Sequence, residues 1–240
     1  VVPQEVTIPA SPLAPTGTLR ASINLGNAVL AQGTATDPRG ITVDLAREVG
    51  HRLGVPVELL CFDAARDSFA ALTDGRADLG FMAIEPARAA EVSFTEPYVL
   101  IEGVFCVPDG SDIRSPADVD RPGVQVGVKR GSAYDLYLTR TLQHAELVRG
   151  DEGVEVFAAE GLAVGAGIRQ PVAEFVDRTG GYRVVDEAFM QIRQALAVPR
   201  DRPEQGVSWL AGVVEELKVT GFVAEALARS GKSGAAVVAP

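Results

Sequence analysis

The sequence predicts an α/β protein built on parallel sheets. Strand-like and helix-like segments alternate through the first hundred residues. Glycines close the helical segments, and a second alternating set begins near residue 101. Right-handed crossovers between parallel strands would cover both faces of such a sheet.

Four prolines, Pro3, Pro9, Pro12 and Pro15, mark residues 1–18 as an extended arm. Residues 19–25 form the first predicted strand, and the loop 26–38 follows. In residues 41–53, Leu45, Val49 and Leu53 recur four apart and mark the buried face of a helix that Gly54 stops. Residues 55–61 return as a strand and residues 68–73 as a short helix with Phe69 and Leu72 inward. Gly75 ends that helix, and residues 77–83 form the next strand.

The second set opens with a strand at 101–107, the turn Pro108-Asp109-Gly110 and a short helix at 116–119. A strand at 124–128 and a helix at 133–143 follow. Residues 146–149, 162–167, 172–179 and 182–186 supply shorter elements, although Gly161, Gly165 and Gly167 weaken the case for a strand at 162–167. A last strand at 194–198 and a turn at 199–203 precede a helix at 207–220, where Leu210, Val213, Val214 and Leu217 keep the helical repeat. A final short helix spans 222–228, with a loose tail from Gly231.

Bulk properties narrow the function. A hydrophobic content of 47% fills one or two cores. A net charge of -10 and an aromatic content of 6% oppose nucleic acid, which needs a positive field and stacking surfaces. No apolar run reaches the length of a membrane span, so stable membrane insertion is not expected. Cys61 and Cys106 sit in apolar strand-like runs and read as ordinary core thiols. With only His51 and His144 beside them they draw no four-ligand metal site, and no cofactor motif is present. The chain opens on Val1 with no targeting segment, which fits a mature exported protein and a trimmed cytosolic one equally.

The chemistry concentrates at Arg88. It follows the strand 77–83, in the segment Ile84-Glu85-Pro86-Ala87-Arg88. Loops at the carboxyl ends of strands are where an open α/β sheet presents ligand contacts, and a guanidinium there can hold a carboxylate through two parallel charge-assisted bonds. The competing reading is a surface helix start in which Arg88 pairs with Glu91.

Gly40-Ile41-Thr42-Val43-Asp44-Leu45, Leu72-Thr73-Asp74-Gly75-Arg76-Ala77-Asp78, Glu85-Pro86-Ala87-Arg88 with Phe94 and Pro97-Tyr98, and Val126-Gly127-Val128-Lys129-Arg130-Gly131-Ser132 stand in order along the chain. Together they resemble the polar amino-acid-binding proteins of ABC transporters, the type II periplasmic solute-binding proteins of family 3. The resemblance covers roughly residues 19–230. It implies a two-lobed periplasmic-binding-protein-like fold, each lobe a mainly parallel sheet flanked by helices. Lobe 1 would comprise residues 19–99 plus 193–232, lobe 2 residues 100–192, and residues 233–240 a loose tail. A small carboxylate-bearing solute would be held as the lobes hinge shut, for delivery to the membrane component of an ABC transporter, in the periplasm or another extracytoplasmic space.

By the same resemblance, Arg88 would carry the carboxylate with Phe81 and Ala83 on the lobe 1 wall and Asn27 in the loop after the first strand. Gly131, Ser132 and Ala133 would offer backbone N–H groups and a hydroxyl from lobe 2. Tyr134 would roof the cleft or join the core, and Ser132 as a helix cap alone is the competing reading.

Two departures from the family pattern leave the other end of the solute open. No aromatic follows the first strand, where only Asn24, Asn27 and aliphatic residues stand. The family's ammonium-binding Asp aligns with Arg169. Either Glu85 receives an amine, or Arg88 and Arg169 together hold a solute with two anionic groups or none that is basic. A ligand sensor is a further alternative, as is a lyase resembling cyclohexadienyl dehydratase with Glu85 as general acid. Neither displaces the non-enzymatic carrier as the main expectation.

Overall fold

A computed structural model describes residues 12–240. Residues 1–11 of the expected N-terminal arm therefore lie outside the described residues. Of the rest of that arm, Leu13 and Ala14 are buried in the main core, with Leu13 against the helix that carries Gly206.

Lobe 1 is laid down first. Strand β1 (Leu19–Asn24) pairs in parallel with β4 (Val57–Phe62) and β5 (Leu79–Ala83), giving the order β4-β1-β5. Helix α1 (Ile41–Leu53) buries Leu45 and Val49 and stops at Gly54 in the left-handed conformation; α2 (Ala65–Thr73) and the single turn α3 (Pro86–Ala89) follow β4 and β5. The expected loop 26–38 contains a small hairpin, β2 (Gln32–Thr34) with β3 (Asp37–Arg39).

Strand β6 (Val92–Pro108) is far longer than the expected 101–107. It pairs antiparallel with β11 (Met190–Pro199) from Val92 to Gly103, so the two strands cross together between the lobes. The ladder shifts register twice, at Gln194/Ala195 and Ala195/Ala197, where Pro97 on β6 faces Ala195. A proline removes a ladder donor, and such irregularities are where strands admit one.

Lobe 2 repeats the scheme. Strand β7 (Gln125–Lys129) pairs in parallel with β8 (Glu146–Gly150) and β9 (Val164–Ile168), and β6 closes the sheet antiparallel beside β9. Helices α4 (Ala133–Thr141), α5 (Gly153–Glu160) and α6 (Arg169–Thr179) connect them, and β10 (Tyr182–Val184) pairs with the far end of β6. Each lobe thus carries three parallel strands and one antiparallel strand supplied by a crossing segment.

Helix α5 was not expected. Of the glycines that weakened the reading of 162–167 as a strand, Gly161 caps α5 in the left-handed conformation, a Cβ on Gly165 would lie 2.9 Å from the Phe157 ring of α5, and one on Gly167 would lie 2.7 Å from Val172 of α6. The missing side chain lets helix and strand pack closely.

Helix α7 (Glu204–Val219) buries Leu210, Val213, Val214 and Leu217, and packs on β6; α8 (Phe222–Arg229) packs on α1 and α7. The tail expected to be loose is a correction. Its strand β12 (Val237–Val238) pairs with Leu100 and Val99 on β6, and Ala236 and Ala239 are buried. The small side chains and unpaired edge of β6 let the last residues add a strand.

Cys61 and Cys106 are both free, and burial pushes the Cys106 thiol up to about 12. No helix among the described residues is long and apolar enough to cross a membrane.

Candidate functional site

A cavity of about 100 Å³ lies where the carboxyl ends of β1 and β5 face β7, β9 and the starts of α4 and α5. Of the sequence-predicted site residues, Asn27, Phe81, Ala83, Arg88, Ser132, Ala133 and Tyr134 line it.

Arg88 is reached through a short local path. Strand β5 ends at Ala83, Glu85 is the N-cap of α3 with Pro86 in the first turn, and Arg88 then turns back under the strand end. Its Nη1 donates to the Ala83 carbonyl at 3.3 Å and its Nη2 to the Gly131 carbonyl across the cleft at 3.0 Å. It is 3% exposed. Burial lowers its pKa to about 10 and the nearby Glu85 charge opposes that shift, which leaves a full cation at neutral pH. No carboxylate of the protein bonds it among the described residues, and the ion pair with Glu91 is not formed.

The opposing wall is the β7–α4 junction. Gly131 takes φ +71, a turn that favours glycine, and does not line the cavity itself, although its carbonyl meets Arg88. Ser132 caps α4 by accepting the Asp135 N–H at 3.1 Å, and the Asp135 carboxylate accepts the Gly131 N–H at 2.8 Å. The cap leaves the N–H groups of Ala133 and Tyr134 with no protein acceptor among the described residues, and both residues face the cavity. Orphan first-turn donors backed by the helix dipole form an anion site. Burial pushes the Tyr134 phenol upward, with the Glu152 charge adding to it, so the ring stays neutral.

Glu85 and Arg169 lie elsewhere than either sequence reading required. Glu85, 2% exposed, is ion-paired with Arg140 of α4 and does not line the cavity. Arg169 turns outward, pairs with Glu102 on β6 and donates to the Asp186 carbonyl at 2.7 Å. The structure therefore brings neither residue to the cavity, and Arg88 and Arg169 do not stand together there.

Residues missed by sequence reasoning complete the wall. Lys129 and Glu152 form an ion pair that lines the cavity with Arg130, and Gln194 of β11 contributes a neutral amide. Gln194 is a polar residue opening an otherwise apolar strand run, which was a readable signal. Lobe-to-lobe contacts include the Arg140–Glu85 pair and the Arg66 Nη1 bond to the Arg130 carbonyl at 3.3 Å. Among the described residues no group of three or more metal-ligating side chains gathers.

The chain matches the family model for bacterial extracellular solute-binding proteins, family 3, over residues 29–231. No curated protein matches it. Among solved structures it is similar to a protein from Wolinella succinogenes DSM 1740, described as a binding component of an ABC transporter and complexed with lysine. Identity is 21%, coverage is 89% of this chain and 95% of that one, and the TM-score is 0.74. It is also similar to the ancestral amino acid-binding protein AncCDT-1, described as a precursor of cyclohexadienyl dehydratase, at 21% identity, with 92% and 98% of the chains covered and a TM-score of 0.73. A cysteine-binding protein from Campylobacter jejuni matches at 18% identity over 92% of each chain, with a TM-score of 0.74. At these identities the structures speak to fold.

Proposed function

Because this chain belongs to the bacterial extracellular solute-binding proteins, family 3, we propose that the solute it captures is a small carboxylate, held between the lobes at Arg88 for delivery to the membrane component of an ABC transporter. The observation that carries this reading is the pairing of a buried guanidinium on one lobe with two orphan N–H groups, Ala133 and Tyr134, on the other. A carboxylate has two oxygens, and bridging both donor sets would tie the lobes together through the solute itself. The cavity of about 100 Å³ favours a solute of few heavy atoms, well below the roughly 300 to 1,000 Å³ of drug-sized sites. Membership in a solute-binding family sets aside the dehydratase alternative, and its single acid, Glu85, is held by Arg140.

A thermal-shift panel of small carboxylic acids, each beside its own primary amide, tests the reading. One or more acids should raise the melting temperature while the matching amide does not. An amide that stabilises as well as its acid removes the carboxylate from the account.

Closure should be adjustable from a site that never touches the solute. Arg140→Ala leaves the buried Glu85 carboxylate without its partner only when the lobes are shut, so the open form gains population. Because Arg140 is 42% exposed, the effect is moderate, about a tenfold weaker apparent affinity. Small-angle scattering of the unliganded variant should show a larger radius of gyration than the parent; an unchanged radius with unchanged affinity would remove the latch.

A further inference from the structure

A carboxylate anchored at Arg88 leaves the remainder of the solute against a wall of known charge. The charged side chains lining the cavity are Arg88, Lys129, Arg130 and Glu152. Glu152, the only acid among them, is engaged by Lys129. The buried acids Glu85 and Asp135 behind the wall are also occupied, Glu85 by Arg140, and Asp135 by Arg149 and the Gly131 N–H. An ammonium brought into this space would lose water and meet only a carboxylate already paired with Lys129, which is unfavourable, whereas a neutral oxygen would not suffer that loss.

Gln194 stands beside the anchor. It lies opposite Ala83 of β5, whose carbonyl already accepts a hydrogen bond from Arg88. Neighbouring strands are about 4.8 Å apart, so the amide is one strand away from the carboxylate position. The β6–β11 ladder shifts register at Gln194/Ala195, and a bulge of this kind re-aims a side chain. Gln194 lines the cavity on the same strand face as Ile192, is 6% exposed, and bonds no other described side chain or backbone group through its amide. The amide keeps contact with the cavity and is free to bond whatever fills it.

We propose that the solute is a small 2-hydroxy or 2-oxo carboxylate rather than an α-amino acid, and that Gln194 is the residue that reads the oxygen on carbon 2. This rests on the Arg88 reading above. The Gln194 NH2 group donates to a hydroxyl or keto oxygen, and its carbonyl accepts from a hydroxyl. Arg88 with the α4 N–H groups fixes the acid end, and the neutral amide selects against a charge at the adjacent carbon.

Calorimetric titration at neutral pH with matched trios tests this: alanine, lactate and pyruvate; valine, 2-hydroxyisovalerate and 2-oxoisovalerate; glutamate, 2-hydroxyglutarate and 2-oxoglutarate. The expected result is that the best binder is a hydroxy or oxo acid, at least tenfold tighter than the amino acid of its trio. Gln194→Leu should weaken that solute about tenfold yet leave the unsubstituted acid of the same chain within twofold. Gln194→Glu, which supplies a carboxylate, should shift the ratio toward the amino acid. If the amino acid of the tightest trio equals or exceeds its oxygen counterparts in the parent protein, and Arg88→Ala still abolishes binding, the assignment to 2-oxygen acids fails and carboxylate capture stands. Binding that survives Arg88→Ala, or no binding by any acid tested, overturns both. The comparison within the parent protein decides the matter even if a Gln194 variant does not fold.

Discussion

Arg88→Ala is expected to weaken solute binding by a hundredfold or more. The loss is that of a buried bidentate partner for a carboxylate, on the order of 3 to 5 kcal/mol. The stability of the unliganded protein should respond in the opposite sense or scarcely at all. Arg88 is 3% exposed and bonds only two carbonyls, Ala83 and Gly131, without a direct carboxylate partner. Removing a cation so placed relieves a desolvation cost, which offsets the packing lost. Arg88→Lys separates charge from geometry. It keeps the cation and loses the planar fork, so it should recover only part of the affinity. Calorimetry for binding and a melting curve for the unliganded protein check both halves. Parallel loss of binding and of stability by Arg88→Ala would mean that the guanidinium is structural.

Asp78→Ala should have the largest effect on folding. The carboxylate is fully buried at the head of β5. Its Oδ2 accepts from the Arg20 backbone N–H at 3.1 Å and from Arg20 Nε at 2.8 Å, while Oδ1 accepts from Arg20 Nη2 at 2.8 Å and Arg202 Nη2 at 3.0 Å. It thereby joins β1, β5 and the turn after β11. Cutting the acid strands two largely buried guanidinium groups, a loss of about 3 to 5 kcal/mol. For a chain of this size that lowers the melting temperature by roughly 6 to 20 °C. A denaturant melt in which Asp78→Ala shifts the midpoint no more than an exposed-site substitution would contradict the assignment. Solute affinity measured below the melting transition should be little changed, since Asp78 does not line the cavity.

Much of the architecture was legible because it rests on local rules. The spacing of Leu45, Val49 and the stop at Gly54 reproduces α1, and the apolar repeat around Leu210 reproduces α7. Helix α5 escaped because Gly153 opens it and no side chain caps it, although Val154, Phe157 and Ala158 fall at helical spacing. The full length of β6 was hidden by Pro97, which a register break accommodates. The β12 strand was unreadable because its pairing depends on an edge left open far earlier in the chain, at Val99 and Leu100.

The site divides along the same line. Phe81, Ala83, Arg88, Asn27, Ser132, Ala133 and Tyr134 line one cavity because strand ends and helix starts point to one place in this fold. Glu85 and Arg169 were misplaced because their partners, Arg140 and Glu102, are 55 and 67 residues distant in the chain. An ion pair of that separation leaves no spacing to detect, yet it decides whether a charge faces the solute or the protein. Gln194 was detectable in principle, as an uncharged polar group on the inward face of an apolar strand.

The most direct test is the structure of the protein with the tightest-binding acid from the panel. The carboxylate should lie within hydrogen-bond distance of both the Arg88 guanidinium and the Ala133 or Tyr134 N–H, with the lobes closed over it. A carboxylate found elsewhere, with Arg88 still bonded only to the carbonyls of Ala83 and Gly131, would contradict capture between the lobes at Arg88.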